Sequence, residues 1–192
     1  MKFTPQLIPD IILIEPNAHY DDRGYFVETY RQDFFLESVG YKVQFVQENE
    51  SKSSKGVLRG LHYQLPPFSQ SKLIRVTDGK ILDIAVDIRK TSPSFGQHVA
   101  IELSAENMSQ LFIPSGFAHG FLVLSDTAQI NYKVDNFYNS EYDRGIAVND
   151  PKLGIYLPFP KEKLQLSKRD QTHPSVFAVS YTHLTLPTIY SV

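Results

Sequence analysis

Short alternations of apolar and polar residues run through most of this chain, broken about every 8–12 residues by turn signals, the spacing of an all-β sandwich or barrel. Residues 6–15 predict a strand interrupted at Pro9. Asp21-Asp22-Arg23-Gly24 is a turn, after which Phe26, Glu28 and Tyr30 share one face and Tyr25, Val27 and Thr29 the other. A glutamate between two aromatics suits a polar pocket or an edge that pairs with another subunit better than a plain core. Residues 31–40 predict a short helix closed by Gly40. A strand is expected over residues 43–49 and a loop over residues 50–56. Residues 72–76 and 81–88 read as two strands of a hairpin turning at Asp78-Gly79. In the second of them Asp83 and Asp87 share a face with Ile81 and Ala85, opposite Leu82, Ile84, Val86 and Ile88, so one side is expected to be core and the other partly polar. Residues 98–103 and 129–134 alternate again, and Tyr132 lies on the apolar face with Ile130 and Val134, its hydroxyl aimed inward. Residues 161–170 are charged and predict a short helix or an extended closing segment. The pattern totals about ten strands with little helix.

The stretch Gly56-Val57-Leu58-Arg59-Gly60-Leu61-His62-Tyr63-Gln64 reads as a strand that carries chemistry. Arg59 and His62 are three residues apart, so a regular strand would send them to opposite faces. Both reach one site only if the chain bulges near Gly60.

Composition narrows the class. At 192 residues the chain is expected to be one domain with a proper core. A net charge of −2 without a basic block argues against nucleic acid as a partner. The absence of cysteine removes disulfides, thiolate metal sites and a cysteine nucleophile, and is compatible with a reducing cytoplasm. Met1-Lys2-Phe3-Thr4-Pro5 does not read as a signal peptide, and no stretch has the ~20 apolar residues of a membrane helix. The 13 phenylalanines and 11 tyrosines suit strands and ring-stacking sites. Residues 176–192 follow none of these patterns and are read as an unplaced, appended or read-through tail beyond a domain of residues 1–175.

The six histidines include no His-x-His pair, which disfavours a metal site of the barrel type. No Gly-x-Ser-x-Gly elbow, Gly-x-Gly-x-x-Gly or P-loop occurs, so neither a serine hydrolase nor a dinucleotide or ATP is indicated. What remains is acid–base chemistry by side chains. His62 is a candidate base and Tyr132 a candidate acid. Lys72 and His119 are candidates to stabilise an oxyanion. Asp170, Asp83 or Asp87 is available to hold an imidazole. A paired carboxylate is expected to raise the basicity of His62.

Leu58-Arg59-Gly60-Leu61-His62-Tyr63-Gln64 and Ile113-Pro114-Ser115-Gly116-Phe117-Ala118-His119-Gly120-Phe121 resemble motifs of the dTDP-4-dehydrorhamnose 3,5-epimerase family, as do Asp21-Asp22-Arg23-Gly24-Tyr25-Phe26-Val27-Glu28, Gln47-Glu48-Asn49, Tyr132-Lys133 and Asn149-Asp150-Pro151. Order and spacing agree from about residue 3 to about residue 171. The resemblance implies an all-β, cupin-like jelly-roll barrel with a few short helices, a homodimer, and no metal or cofactor. It implies His62 as base, Asp170 as its acid partner, Tyr132 as proton donor and Lys72 near the C4 oxygen of the sugar. Arg23, Phe26, Glu28, Gln47, Asn49, Arg59, Lys72, His119, Tyr138, Asp143 and Arg169 match substrate-binding positions. Arg23 and Glu28 are implied to come from the dimer partner, and Tyr138 to stack on thymine. Asp143 stands where glutamate is common, Arg169 where lysine is common, and Val148 where tryptophan is usual. The implied activity is epimerisation at C3 and C5 of a dTDP-4-keto-6-deoxyhexose. Two other readings stay open: a mono-epimerase or keto-isomerase on a related nucleotide sugar, and a nucleotide-sugar-binding jelly roll without activity.

Overall fold

The computed structural model describes residues 1–178. The chain opens with β1 (Lys2–Pro5) and β2 (Ile12–Glu15), an antiparallel pair joined through the turn that holds Pro9. β3 (Ala18–Asp21) and β4 (Gly24–Val27) form a separate hairpin. The helix α1 (Gln32–Val39) ends at Gly40, as its sequence predicts. Next come β5 (Gln47–Ser54), β6 (Leu58–Gln64), β7 (Lys72–Asp78) and β8 (Lys80–Asp87). They are followed by β9 (His98–Ser104), β10 (Gln110–Ile113), β11 (Phe117–Val123), β12 (Thr127–Val134) and β13 (Asp143–Gly145).

These strands make two antiparallel sheets, in the orders β1-β2-β10-β7-β12-β5 and β13-β6-β11-β8-β9. The main core lies between them. Ile74, Val76, Leu111, Ile113, Ala128 and Ile130 come from the first sheet, and Ile81, Ala85, Val99, Leu103, Phe117, Phe121 and Val123 from the second. Two further clusters cover the outer faces. Helix α1 seats Phe35 on Phe112 and Leu73 behind the first sheet. Ile146, Val148, Leu153 and Val176 cover Leu58, Leu61, Ile84 and Val86 behind the second. The architecture is the all-β jelly roll implied by the resemblance. No helix among the described residues is long and apolar enough to cross a membrane.

Three local expectations change. The strand expected over residues 43–49 begins at Gln47 and runs through the expected loop to Ser54, paired along its whole length with β12. Its sequence hides this because both faces are polar. Glu48, Glu50, Lys52 and Ser54 face solvent, while Gln47, Asn49, Ser51 and Ser53 turn inward beside the cavities described below. β7 and β8 are consecutive but do not form the expected hairpin: β7 pairs with β10 and β12, and β8 with β9 and β11. The Gly79 turn therefore carries the chain from one sheet to the other. Finally, β8 has no solvent face. Asp83 and Asp87 are fully buried on the inner side with Ile81 and Ala85, and the opposite face lies under the outer cluster.

The closing segment is extended with two short 3-10 turns, Lys161–Lys163 and Asp170–Thr172. Gln165 exchanges backbone hydrogen bonds with Gly56 and Leu58 at the start of β6. That pairing brings the second turn, with Asp170, onto the sheet. Val176 is buried and its N–H donates to Asp150, so packing continues to the edge of the described residues. Residues 179–192 of the expected tail lie outside them.

Candidate active site

A bulge aims β6 at the site. His62 pairs with His119 of β11 and Arg59 with Phe121, so three steps along β6 oppose two along β11. The extra residue brings Arg59 and His62 to the same cavity. Gly60 makes this possible: its φ is +123°, and a Cβ there would lie 2.7 Å from the Cα of Gly120.

The cavity has a volume of about 510 Å³, and Arg59, His62, Lys72, His119, Tyr132 and Asp170 line it. An adjoining space of about 220 Å³ is bordered by Gln47, Asn49, Tyr138 and Asp143. His62, Lys72 and Tyr132 line both, so these three sit where the two spaces meet. Strand register explains the convergence. Lys72 has the parity of inward-facing Ile74 and Val76, and Tyr132 that of Ile130 and Val134.

Of the three carboxylates available for an imidazole, Asp170 takes His62, with Nε2 and Oδ1 2.7 Å apart. Asp83 takes His119, whose Nε2 is 3.0 Å from both of its oxygens. Asp87 takes neither; it binds Arg89, Ser92 and Ser94. At the rim, Arg169 donates to Asp143 at 2.6 Å and the Tyr138 hydroxyl donates to the same carboxylate at 3.1 Å. The two polar positions that depart from the family pattern thus contact each other, a shorter acid facing a longer base. Val148, the third departure, is buried in the outer cluster and lines neither cavity.

The sequence model of the dTDP-4-dehydrorhamnose 3,5-epimerase family matches residues 5–177. This chain belongs to that family. A dTDP-4-dehydrorhamnose 3,5-epimerase of Shigella flexneri is 53% identical over 163 residues, which are 85% of this chain and 89% of that protein. Among solved structures, the dTDP-6-deoxy-D-glucose-3,5-epimerase of Legionella pneumophila in complex with dTDP-4-keto-L-rhamnose superposes with a TM-score of 0.89 at 42% identity, covering 93% of this chain and 94% of that one. A 3'-monoepimerase of Streptomyces bikiniensis in complex with dTDP-quinovose gives 0.84 at 33% identity, covering 90% and 87%.

Protonation states follow from burial and neighbours. Burial lowers the pKa of His62; Asp170 pulls it up, Lys72 pushes it down again, and the net shift is downward. The expected gain in basicity from the paired carboxylate is therefore outweighed by desolvation. His62 is a neutral imidazole at neutral pH, and with Nε2–H donated to Asp170 its Nδ1 holds the free lone pair. Burial raises Asp170, but the His62 contact together with hydrogen bonds from Ser167 and the Gly60 N–H lowers it on balance and keeps the carboxyl ionised. Burial raises the Tyr132 phenol, against Arg59, so it stays protonated. Burial pulls the Lys72 ammonium down to about 8, with Asp143 and Asp83 opposing. A family member that needs this ammonium should lose kcat/KM as pH rises through about 8. Lys72→Met should be slower throughout and should lack that alkaline limb, which pH–rate profiles of the two proteins would show.

Two features fall outside the expected site. Arg23, Phe26 and Glu28 lie on or just after the β3–β4 hairpin, exposed, and line neither cavity of the single chain. Conversely, His173 carries no motif signal, yet its Nε2 lies 3.2 Å from Asp170 Oδ1. His62, Asp170 and His173 offer three ligand-type atoms within 4.8 Å of one another. Both imidazoles converge on a single carboxylate oxygen at hydrogen-bonding distance, the arrangement of two N–H donors sharing one acceptor.

Proposed function

We propose that this chain epimerises C3 and C5 of dTDP-4-dehydro-6-deoxy-D-glucose, giving dTDP-4-dehydro-L-rhamnose without a metal or cofactor. The observation that carries the reading is the meeting of a neutral, carboxylate-held His62, a protonated Tyr132 and the Lys72 ammonium at one cavity. A 4-keto group acidifies the hydrogens on both neighbouring carbons, because the carbanion delocalises onto the C4 oxygen as an enolate. His62 Nδ1 removes the proton from one face. Lys72 stabilises the negative oxygen, a role worth about 10²–10³ in rate for a preorganised donor. Tyr132 returns a proton to the other face; the phenolate is then reprotonated from solvent and His62 releases its proton to solvent, which resets the pair for the second carbon. Asp170 fixes the tautomer that frees Nδ1. Gln47, Asn49, Arg59, His119, Tyr138, Asp143 and Arg169, grouped at the two spaces, bind the nucleotide diphosphate and sugar, with Tyr138 stacking on the thymine.

Double epimerisation is favoured over the single kind by the 53% identity to a 3,5-epimerase against 33% to the monoepimerase. Proton NMR of the substrate in D₂O tests this. Deuterium at both C3 and C5 of an inverted product supports it. Deuterium at one carbon makes the chain a mono-epimerase. No exchange by folded protein leaves only a binding role.

The working form is a cytoplasmic homodimer in which Arg23, Phe26 and Glu28 reach the partner's cavity. Their exposure in the single chain supports this. Re-pairing an Arg23→Ala protein with a His62→Ala protein should restore about a quarter of the wild-type rate, because about half of the dimers are mixed and each of these has one intact site. A mixture as inactive as its parents would show that Arg23 acts within its own chain.

A further inference from the structure

We propose that His173 is a positioning residue for the His62–Asp170 pair, holding the carboxylate by a second hydrogen bond so that it meets the base at a fixed angle and with part of its charge already engaged. The inference rests on the reaction proposed above. Asp170 Oδ1 receives both imidazoles, His62 at 2.7 Å and His173 at 3.2 Å, and Oδ2 lies 3.5 Å from the backbone N–H of Gly60. The carboxylate is thereby gripped from three directions. The His173 ring also stands at 84° to that of His62, with centroids 5.5 Å apart, so it limits how far the base can tilt.

The surroundings are shaped to keep His173 there. Gly145 pairs with His62 across β13 and β6. A Cβ on Gly145 would lie 2.2 Å from His173 Nε2 and within 2.5 Å of two further ring atoms. Only a residue without a side chain leaves room for the ring beside the base. Pro174 accepts a backbone hydrogen bond from Ala147, which pins the segment from the other side. The His173 side chain is only 9% exposed.

The charged and titratable groups that face His62 come from every neighbouring element. They are Asp170, Arg169 and His173 on the closing segment, Arg59 on β6 itself, Lys72 on β7, Tyr132 on β12, Asp143 on β13 and His119 opposite on β11. His173 is the member that lines neither cavity and acts on His62 only through Asp170 and the packing of its ring. If its proton no longer shares Asp170 Oδ1, more of the carboxylate's charge falls on His62 and favours the imidazolium.

His173→Phe keeps the ring and removes the donor, while His173→Gln restores an N–H donor. NMR titration of histidine-labelled free protein should place the His62 pKa in His173→Phe ~0.5 unit or more above wild type. kcat should fall about tenfold with KM within about twofold, since the base is less well aimed while the binding groups are untouched. The acid limb of kcat/KM should move up with the titration, and His173→Gln should return all three toward wild type. Gly145→Ala, which displaces the ring without altering it, should reproduce the His173→Phe shift and serves if that variant does not fold. An unchanged His62 titration and kcat in His173→Phe would overturn the proposal. So would a His173→Gln protein as impaired as His173→Phe, since the ring would then matter only as filling. If the wild type exchanges no substrate protons, the reaction fails, and the titration of His62 still reads the positioning role.

Discussion

His62→Ala should lower turnover by about 10²–10⁴, the usual contribution of a general base, and should abolish deuterium incorporation at both carbons together. One base serving both positions is the reason for the joint loss. The ring is half-buried and held by Asp170, so truncation leaves a cavity-lining gap and a buried carboxylate deprived of one partner. Part of the loss would be in stability, and thermal melting must be read beside activity. His173 still reaches Asp170 in the variant, which limits that damage. A folded His62→Ala protein with near-normal turnover would remove His62 from the mechanism.

Tyr132→Phe should separate two events that the wild type performs together. Its phenol is protonated and lines the cavity along with His62 and Lys72. Without the hydroxyl the enolate can still form at His62 with Lys72 beside it, but the opposite face has no donor. Formation of inverted product should fall by about 10²–10⁴. Exchange into recovered, uninverted substrate should persist, because His62 can hand back a deuteron it has taken from solvent. Following substrate and product by NMR in the same D₂O sample distinguishes the two. Equal loss of exchange and inversion would place Tyr132 in binding or enolate formation rather than in reprotonation.

Much of this was legible along the chain. The alternation about His98, Ile130 and Tyr132, the stop at Gly40 and the need for a bulge at Gly60 are local facts, set by side-chain period and backbone sterics. Less legible was β5, whose inward residues are polar because they border cavities and whose outward ones are polar because they meet water. A strand with two polar faces has no hydrophobic period to detect. The expected β7–β8 hairpin failed for a related reason. Asp78-Gly79 reports a turn, but a turn does not say whether the strands it joins lie in one sheet or two.

By itself the sequence determined the chemical inventory and the fold class: no cysteine, no phosphate loop, and histidine, tyrosine, lysine and carboxylates set among alternating strands. Its motifs also determined the family, because they are contiguous and their spacing is held. The tertiary structure alone decided which groups act on one another. Asp170, 108 residues from His62, holds it because the closing segment pairs with the start of β6. Asp83, equally plausible along the chain, is spent on His119. It also decided that His62 loses basicity, since desolvation depends on what covers the ring and not on what precedes it. And it brought in His173, whose meaning lies in an oxygen shared with His62 and in the room that Gly145 leaves for it. Pairing across a sheet couples residues by position in space, and that coupling has no signature in local sequence.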